Sequence, residues 1–302
     1  MAEIEHRTLG TAGASVPVLG FGAWPIGGGL GRVDPADAIR TVRAAIDSGI
    51  TLIDTAEGYR ISESVIGEAL QEGYREKCFL ATKASFDFTP VGVRKALENS
   101  LRALRTDRVD LYQIHTWDLK IPVEESMEAM RGLQEQGKTR FVGVSNFLPE
   151  HMERAMKVCP IISNQVRYSM LFREIESGII DFCVKHGIGI IVHSPLAKGL
   201  LTGRYTPEST FPPDDERSGF QDFKGSLFAR HLLKATRLEE IAKEKGVSLV
   251  QLAIAWTLRL PVVSCTLVGA KSVLQMVEHL GAVGLTFTSA EENRIEEILA
   301  SG

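Results

Sequence analysis

The segment GFGAWPIGGGLG, residues 20–31, decides between two parallel-sheet architectures for this chain. It overlaps the end of the first strand-like run, VLGFG (18–22). A doubly wound dinucleotide-binding sheet usually carries G-x-G-x-x-G after its first strand, and a P-loop carries GK[ST]. The glycines of the segment have neither spacing. We therefore interpret it as a flexible loop and favour a closed barrel over an open doubly wound sheet.

The rest of the chain supplies enough strands to close a barrel. Short runs rich in Val and Ile alternate with helix-like segments, and they are apolar on both faces, as buried parallel strands are. Eight strands alternating with helices over 302 residues are typical of a (β/α)8 TIM barrel, so we predict one α/β domain over residues 1–302. The runs are VLGFG (18–22), TLID (51–54), CFLATK (78–83), VDLYQIH (109–115), RFVGVS (140–145), IISNQV (161–166), IGIIVHS (188–194) and CTLVGA (265–270).

Two segments depart from the alternation of strands and helices. HRTLGTAGASVP (6–17) predicts a small N-terminal β-hairpin that plugs the bottom of the barrel. Roughly forty residues separate Ser194 from the next helix, which the pattern places near residue 236. Loops of this length usually carry function or are disordered, so we predict a long loop after the seventh strand.

Composition excludes several classes of protein. The net charge of -4 and the pI near 6.0 give no basic excess for nucleic acid. The four cysteines are far apart and lack metal-ligand spacing, which favours reduced thiols in a cytoplasmic protein. The polar N-terminus lacks a signal-peptide core. The apolar tract 249–270 is too interrupted to span a membrane and predicts a buried helix followed by a strand.

Polar side chains stand where the predicted strands end. Each has an ordinary interpretation by itself, as a helix cap, a packing histidine or a solvated loop lysine. A barrel, however, brings the C-terminal ends of its strands to one mouth, where active sites of this fold lie. These residues are Asp54, Lys83, His115, Ser145, Asn146, Gln165, His193, Ser194 and Lys271.

The chemistry of this cluster points to proton donation. Tyr59 follows Asp54 in LIDTAEGYR (52–60). A nearby ammonium favours the phenolate, so we expect Lys83 to lower the pKa of Tyr59, with Asp54 keeping Lys83 charged. Tyr59 would then act as a general acid, and a neutral His115 would orient a substrate carbonyl. The set supplies no hydride, nucleophile or metal ion, so a reduction would require a cofactor.

With these motifs in order, the sequence resembles the aldo-keto reductase superfamily essentially from end to end. The resemblance implies a (β/α)8 barrel that binds NADP(H) or NAD(H) extended across the strand ends. The matching segments are GFGAW, LIDTAEGY, ATK, DLYQIH, GVSNF, NQVRYS, SPLAKGLLTGRY and VGAKSVLQMVEHLGA.

The resemblance also implies roles for particular residues. The catalytic tetrad falls on Asp54, Tyr59, Lys83 and His115, with Tyr59 as the acid for reduction and the base for oxidation. Trp24 and Trp117 are candidates for walls of the substrate pocket, and Phe86 is a third aromatic candidate, although all three could be rim packing. The nicotinamide, pyrophosphate and adenosine contacts fall on Ser145, Asn146, Gln165, His193, Ser194, Leu196, Lys198, Gly199, Gly269, Lys271, Ser272, Gln275 and His279.

Three positions differ from the family pattern. His193 stands where an aromatic ring usually stacks on the nicotinamide, and His279 stands where an asparagine often lies near the adenine. Gln275 stands where many members have an arginine for the 2′-phosphate. Lys271 and Ser272 still offer a charge-assisted contact and a helix N-terminus, so NADP(H) is favoured over NAD(H).

The sequence thus predicts an NADP(H)-dependent oxidoreductase that reduces aldehydes or ketones reversibly to alcohols. Two alternatives stay open: a non-enzymatic NADP(H)-binding interaction subunit, like the potassium-channel β-subunits of this fold, and a barrel lyase with Lys83 as a Schiff-base nucleophile. The expected partner is a small carbonyl or alcohol substrate, with no nucleic acid or membrane. The substrate's identity, the physiological direction and the oligomeric state stay open.

Overall fold

The computed structural model of the chain describes residues 4–11, 13–118 and 120–301, and a closed barrel forms its centre. Eight strands pair in parallel in the order β3 to β10, and β10 closes onto β3. The strands in the described residues are β1 (His6–Leu9), β2 (Ala14–Pro17), β3 (Leu19–Gly22), β4 (Leu52–Asp54), β5 (Phe79–Ala84), β6 (Val109–Ile114), β7 (Thr139–Ser145), β8 (Ser163–Arg167), β9 (Gly189–His193) and β10 (Val263–Val268).

Helices connect successive barrel strands and surround them. Asp34 caps the first of these helices, since its side chain accepts hydrogen bonds from the backbone amides of Ala36 and Asp37. The helices in the described residues are α1 (Pro35–Asp47), α2 (Ser62–Ala69), α3 (Pro90–Leu104), α4 (Val123–Glu135), α5 (Pro149–Met156), α6 (Ile179–His186), α7 (Gly225–Glu244), α8 (Leu249–Leu258), α9 (Val273–Leu280) and α10 (Ser289–Ala300).

The (β/α)8 prediction is confirmed, and each predicted run overlaps an observed barrel strand. The tract 249–270 forms a buried helix and then a strand, as predicted. Its strand begins at Val263 rather than at residue 265, because Val263 pairs with Ile190 of β9 across an irregularity in the register. Within the described residues, no helix combines the length and the apolar character needed to cross a membrane.

The N-terminal hairpin closes the end of the barrel where the strands begin. β1 and β2 pair antiparallel, and Leu9 and Val16 lie in a buried cluster with residues of the barrel strands. Gly189, the first residue of β9, approaches the hairpin so closely that a Cβ there would lie 2.7 Å from Leu9 Cδ1. The predicted plug is therefore confirmed, and the strand C-termini form the other, open end.

The predicted start of the helix after the long loop, near residue 236, is wrong. Helix α7 begins at Gly225, so the irregular connection after β9 covers 194–224. The sequence hides this start because no side chain caps it, and the residue before the helix is Lys224. An aromatic cluster orders the connection, with ring centroids of Tyr205 and Phe211 5.3 Å apart.

Close packing of α2 on α3 gives a stability prediction. A Cβ on Gly67 would lie 2.3 Å from the carbonyl oxygen of Ala103, whereas a Cβ on Gly132 in α4 would meet nothing within 4 Å. We expect Gly67→Ala to lower the free energy of unfolding by about 1–3 kcal/mol through overpacking. The control Gly132→Ala should raise it by about 0.5–1 kcal/mol, because alanine favours a helix interior. Urea denaturation measures both, and equal effects would contradict the close contact.

Candidate active site

The strand ends bring the four predicted catalytic residues together at the open end of the barrel. Asp54 is the last residue of β4, Lys83 lies in β5, and His115 follows β6 directly. Tyr59 lies in the connection between β4 and α2, where its backbone amide donates to the carbonyl of Ala56 at 3.0 Å. Asp54, Tyr59 and His115 line a cavity of about 450 Å³, and the Lys83 side chain lies beneath it.

Lys83 connects the cluster. Its Nζ donates to Asp54 Oδ1 at 2.5 Å, to the carbonyl of Thr55 at 2.8 Å and to the Tyr59 hydroxyl at 3.3 Å. All three donors of the ammonium are thus used, as a buried charge requires. The Lys83 side chain is 0% exposed and that of Asp54 2% exposed. This ion pair therefore holds the Tyr59 hydroxyl at the floor of the cavity.

The second oxygen of Asp54 is held by two amides. The Nε2 atoms of Gln113 and Gln165 donate to Asp54 Oδ2 at 3.2 and 2.9 Å. Gln113 was not predicted for the site, although it lies on β6 two residues before His115, a spacing that puts both side chains on one face. Gln165, predicted as a nicotinamide contact, thus holds the Asp54 carboxylate in this structure.

The prediction that Lys83 lowers the pKa of Tyr59 below its ordinary value is wrong. Burial raises the pKa of the Tyr59 phenol above its ordinary value, and the opposing effect of Lys83 does not reverse the shift. Trp24 contributes to the burial, with its ring edge on to the Tyr59 ring at 4.8 Å between centroids. Tyr59 therefore holds its proton at neutral pH, as a proton donor must.

Lys83 and His115 differ in charge, one being protonated and the other neutral. Burial alone would lower the pKa of Lys83, but the adjoining Asp54 carboxylate and Tyr59 phenol raise it above its ordinary value. Burial, with the Lys83 charge, lowers the pKa of His115 to about 3. Lys83 is therefore charged and His115 neutral at physiological pH, and the neutral state of His115 agrees with the sequence prediction.

A serine that the sequence analysis missed contacts the histidine. Ser85 Oγ lies 2.8 Å from His115 Nδ1 and accepts a hydrogen bond from the backbone amide of Gly58 at 3.1 Å. Ser85 follows Lys83 by two residues, and residues two apart on a strand share a face. This two-residue spacing from Lys83 is the sequence feature that could have identified Ser85. Ser85 therefore joins β5, the Tyr59 connection and His115.

Most of the predicted cofactor residues line the same cavity. Two predicted residues, Ser145 and Ser272, do not, because Ser145 Oγ donates to the carbonyl of Gln165 and Ser272 caps α9. Asn146 is joined to His193, with Oδ1 3.2 Å from the ring Nε2. The lining members of the predicted set are Asn146, Gln165, His193, Ser194, Leu196, Lys198, Gly199, Gly269, Lys271, Gln275 and His279.

The three aromatic candidates for the substrate pocket lie in different environments. Trp24 lines the cavity beside Tyr59. Phe86 is 73% exposed, and Trp117 packs edge on to His151 with ring centroids 3.9 Å apart. Neither Phe86 nor Trp117 is among the residues that line the cavity. Their contact with substrate stays a prediction.

The far part of the cavity fits an extended, anionic ligand. Left-handed backbone at Ser194, Ala197, Lys198 and Gly199 turns the chain tightly there. The buried Nδ1 of His279 has no hydrogen-bond partner within the described residues, so a ligand can supply one. Five cationic side chains also line the cavity, and three of them were not predicted from the sequence: Arg167, Lys198, Arg204, Arg217 and Lys271. These features fit a nicotinamide dinucleotide.

The described residues offer no cluster of side chains for a metal ion. Across residues 4–11, 13–118 and 120–301, no group of three or more His, Cys, Asp or Glu side chains is arranged to hold a metal ion.

Known proteins resemble the chain over almost its whole length. Aldo-keto reductase YhdN of Bacillus subtilis is 36% identical over 310 residues, which cover 98% of this chain and 94% of that protein. L-glyceraldehyde 3-phosphate reductase of Escherichia coli is 30% identical, covering 99% and 94% of the two chains. The solved glycerol dehydrogenase of Gluconobacter oxydans has a TM-score of 0.89 at 34% identity, covering 99% and 96%.

The family assignment agrees with the fold and with the arrangement of the site. The model of the aldo/keto reductase family matches residues 18–300, which include the whole barrel and all four residues of the predicted tetrad. The N-terminal hairpin lies before the matched range. The chain therefore belongs to the aldo/keto reductase family, whose members are oxidoreductases.

Proposed function

We propose that the protein is an NADP(H)-dependent oxidoreductase that reduces aldehydes or ketones to alcohols, reversibly. The observation that carries the proposal is the hydrogen-bonded chain from Asp54 through Lys83 to the Tyr59 hydroxyl, which lies beside a neutral His115 at the cavity floor. A protonated phenol and a neutral imidazole suit an oxygen that gains negative charge during reaction.

Each catalytic residue has a distinct role in this proposal. Tyr59 donates the proton in reduction and accepts it in oxidation. The Lys83 ammonium stabilises the phenolate that forms when the proton leaves, and Asp54 keeps the ammonium charged and in place. His115 orients the carbonyl oxygen. The bound nicotinamide would supply the hydride, which none of these side chains can provide.

The cofactor is proposed to occupy the cavity from Tyr59 to the N-terminus of α9. Asn146 and Gln165 would face the nicotinamide carboxamide, with Ser145 behind them holding the carbonyl of Gln165 and His193 in place of the usual stacking ring. Burial and the nearby Lys83 lower the pKa of His193 to about 3, so its ring is neutral and can pack on the nicotinamide. The remaining contacts would come from Ser194, Leu196, Lys198, Gly199, Gly269, Lys271, Ser272, Gln275 and His279.

The substrates of two relatives suggest where to begin a search. One is named a glycerol dehydrogenase and another an L-glyceraldehyde 3-phosphate reductase. We propose short hydroxylated aldehydes, with or without a phosphate, and the matching alcohols as the first compounds for a panel that follows NADPH absorbance. Oxidation of NADPH with at least one carbonyl compound is expected. A cofactor that binds but is never oxidised would favour the non-enzymatic interaction subunit.

The surroundings of Lys83 argue against a Schiff-base lyase. A nucleophilic lysine must lose its proton, and the pairing with Asp54 raises the pKa of Lys83 despite its burial. Its three donors are also occupied by protein atoms. Borohydride treatment with carbonyl compounds is expected to leave Lys83 unlabelled.

Preference for NADPH over NADH is proposed to depend on Lys271. This lysine lines the cavity just before α9, and its Nζ donates to the carbonyl of Leu30. We expect Lys271→Ala to lower the affinity for NADPH by about tenfold and the affinity for NADH much less. Only NADPH carries the 2′-phosphate that the ammonium would pair with. Titration of Trp fluorescence measures both affinities, with the exposed Lys185→Ala as control. Equal weakening of NADPH and NADH would contradict this role.

A further inference from the structure

We infer that Ser85 is a positioning residue that fixes the tautomer of His115, so that the Nε2–H of the neutral imidazole points into the cavity. The inference rests on the proposed function, in which His115 orients the substrate oxygen. It concerns a contact between the residue after β5 and the residue after β6, two strands that pair side by side in the barrel.

The hydrogen bonds around Ser85 hold its hydroxyl in place. Its backbone amide donates to Glu57 Oε2 at 3.0 Å. Its Oγ accepts from the amide of Gly58 at 3.1 Å and lies 2.8 Å from His115 Nδ1. Because a backbone N–H can only donate, one lone pair of the Ser85 oxygen is committed to Gly58.

The remaining hydrogen bond decides the tautomer. A serine hydroxyl carries one hydrogen, and within the described residues His115 Nδ1 is the acceptor that Ser85 Oγ reaches. If Ser85 donates, Nδ1 is the acceptor and the ring hydrogen of neutral His115 must sit on Nε2. In the opposite arrangement Nδ1–H donates to Ser85, and the hydroxyl hydrogen has no acceptor, which costs free energy in a part-buried site.

This tautomer matters for the reaction that we propose. His115 lines the cavity, and its ring lies 5.5 Å from the Tyr59 ring between centroids. An Nε2–H is a second donor beside the Tyr59 hydroxyl for the oxygen that becomes negative. A bare Nε2 lone pair would repel that oxygen. Ser85 does not touch the substrate in this account, and it acts through His115.

Steady-state kinetics of Ser85 variants give the first test. Ser85→Ala is expected to lower kcat by about tenfold or more with a smaller change in KM, because the donor acts mainly on the charge that develops in the transition state. Ser85→Thr keeps the hydroxyl and should restore most of the activity. The control is Ser126→Ala, which removes another buried serine hydroxyl, one that donates to the carbonyl of Phe88 and does not line the cavity. A loss of kcat equal in Ser85→Ala and Ser85→Thr would overturn the inference.

Nitrogen-15 NMR of the histidine side chains gives the direct test, and it needs no turnover. The signals of His115 are identified by their absence from His115→Asn. In the protein with NADP⁺ bound, we expect a single Nε2–H tautomer in the wild type and in Ser85→Thr, and a mixture of tautomers in Ser85→Ala. An Nδ1–H tautomer in the wild type, or an unchanged tautomer in Ser85→Ala, would refute the role of Ser85. Failure of the proposed reductase activity would leave this readout intact, so the two outcomes are distinguishable.

Discussion

Tyr59→Phe is expected to lower kcat/KM for carbonyl reduction by about 10²–10⁴-fold while leaving cofactor affinity nearly unchanged. The substitution removes only the hydroxyl that lies 3.3 Å from Lys83 Nζ, and it keeps the ring that packs against Trp24. Water is a poor replacement for the hydroxyl, because it would have to be held at the same point of a part-buried site. Since the ring and its packing are kept, the loss should appear in the reaction rate and not in the folding of the site.

The matched control for this substitution is Tyr74→Phe. The Tyr74 hydroxyl donates to Asp47 Oδ2 at 2.9 Å on the outside of the barrel and is not among the atoms of the cavity. Its removal should leave kcat/KM unchanged. Fluorescence titration with NADPH shows whether each variant binds cofactor. Near wild-type reduction by a Tyr59→Phe protein would mean that another group donates the proton.

Lys83→Met is expected to destabilise the protein as well as to abolish activity. The variant leaves the Asp54 carboxylate, 2% exposed, without its cation. Breaking a buried ion pair from one side typically costs about 3–5 kcal/mol of unfolding free energy, because the remaining charge is desolvated and unpaired. Urea denaturation measures this loss, and the NADPH assay measures the loss of reduction.

A double variant separates the two effects. Asp54→Asn combined with Lys83→Met removes both charges, so it should recover much of the lost stability while reduction stays absent. The surface pair of Arg154 with Glu124, 2.7 Å apart, is the control, and Arg154→Ala should lower the free energy of unfolding much less than Lys83→Met does, because water screens an exposed pair. A double variant as unstable as Lys83→Met alone would show that the pairing of the two charges is not the cause.

The barrel and the convergence of Asp54, Lys83 and His115 could be predicted because each depends on local patterns. The strands are short apolar runs, and parallel pairing brings the residues at their C-terminal ends to one mouth. Asp54, Lys83 and His115 stand at or next to such ends, so their convergence follows once the barrel is accepted. Tyr59 was reached because it follows Asp54 by five residues in LIDTAEGYR, and the resemblance to the family supports the same role.

The features that escaped prediction depend on contacts between distant segments. Burial of Tyr59 reverses the expected direction of its pKa shift, and that burial needs the three-dimensional placement of Trp24. Arg217 Nη2 reaches the carbonyl of Leu30, 187 residues away in sequence, so the loop after β9 meets the loop after β3 at the cavity. The partner of Ser85 is likewise visible only once two strands are paired.

Transfer of deuterium from the reduced cofactor shows whether the protein moves a hydride from the nicotinamide to a carbonyl carbon. NADPH carrying deuterium in place of both hydrogens at C4 of the nicotinamide would be incubated with the best carbonyl compound from the panel, and the product alcohol would be examined by mass spectrometry. We expect deuterium on the carbinol carbon with the wild-type protein and almost no product with Tyr59→Phe. An alcohol without deuterium, or no oxidation of NADPH or NADH by any carbonyl compound, would contradict this expectation.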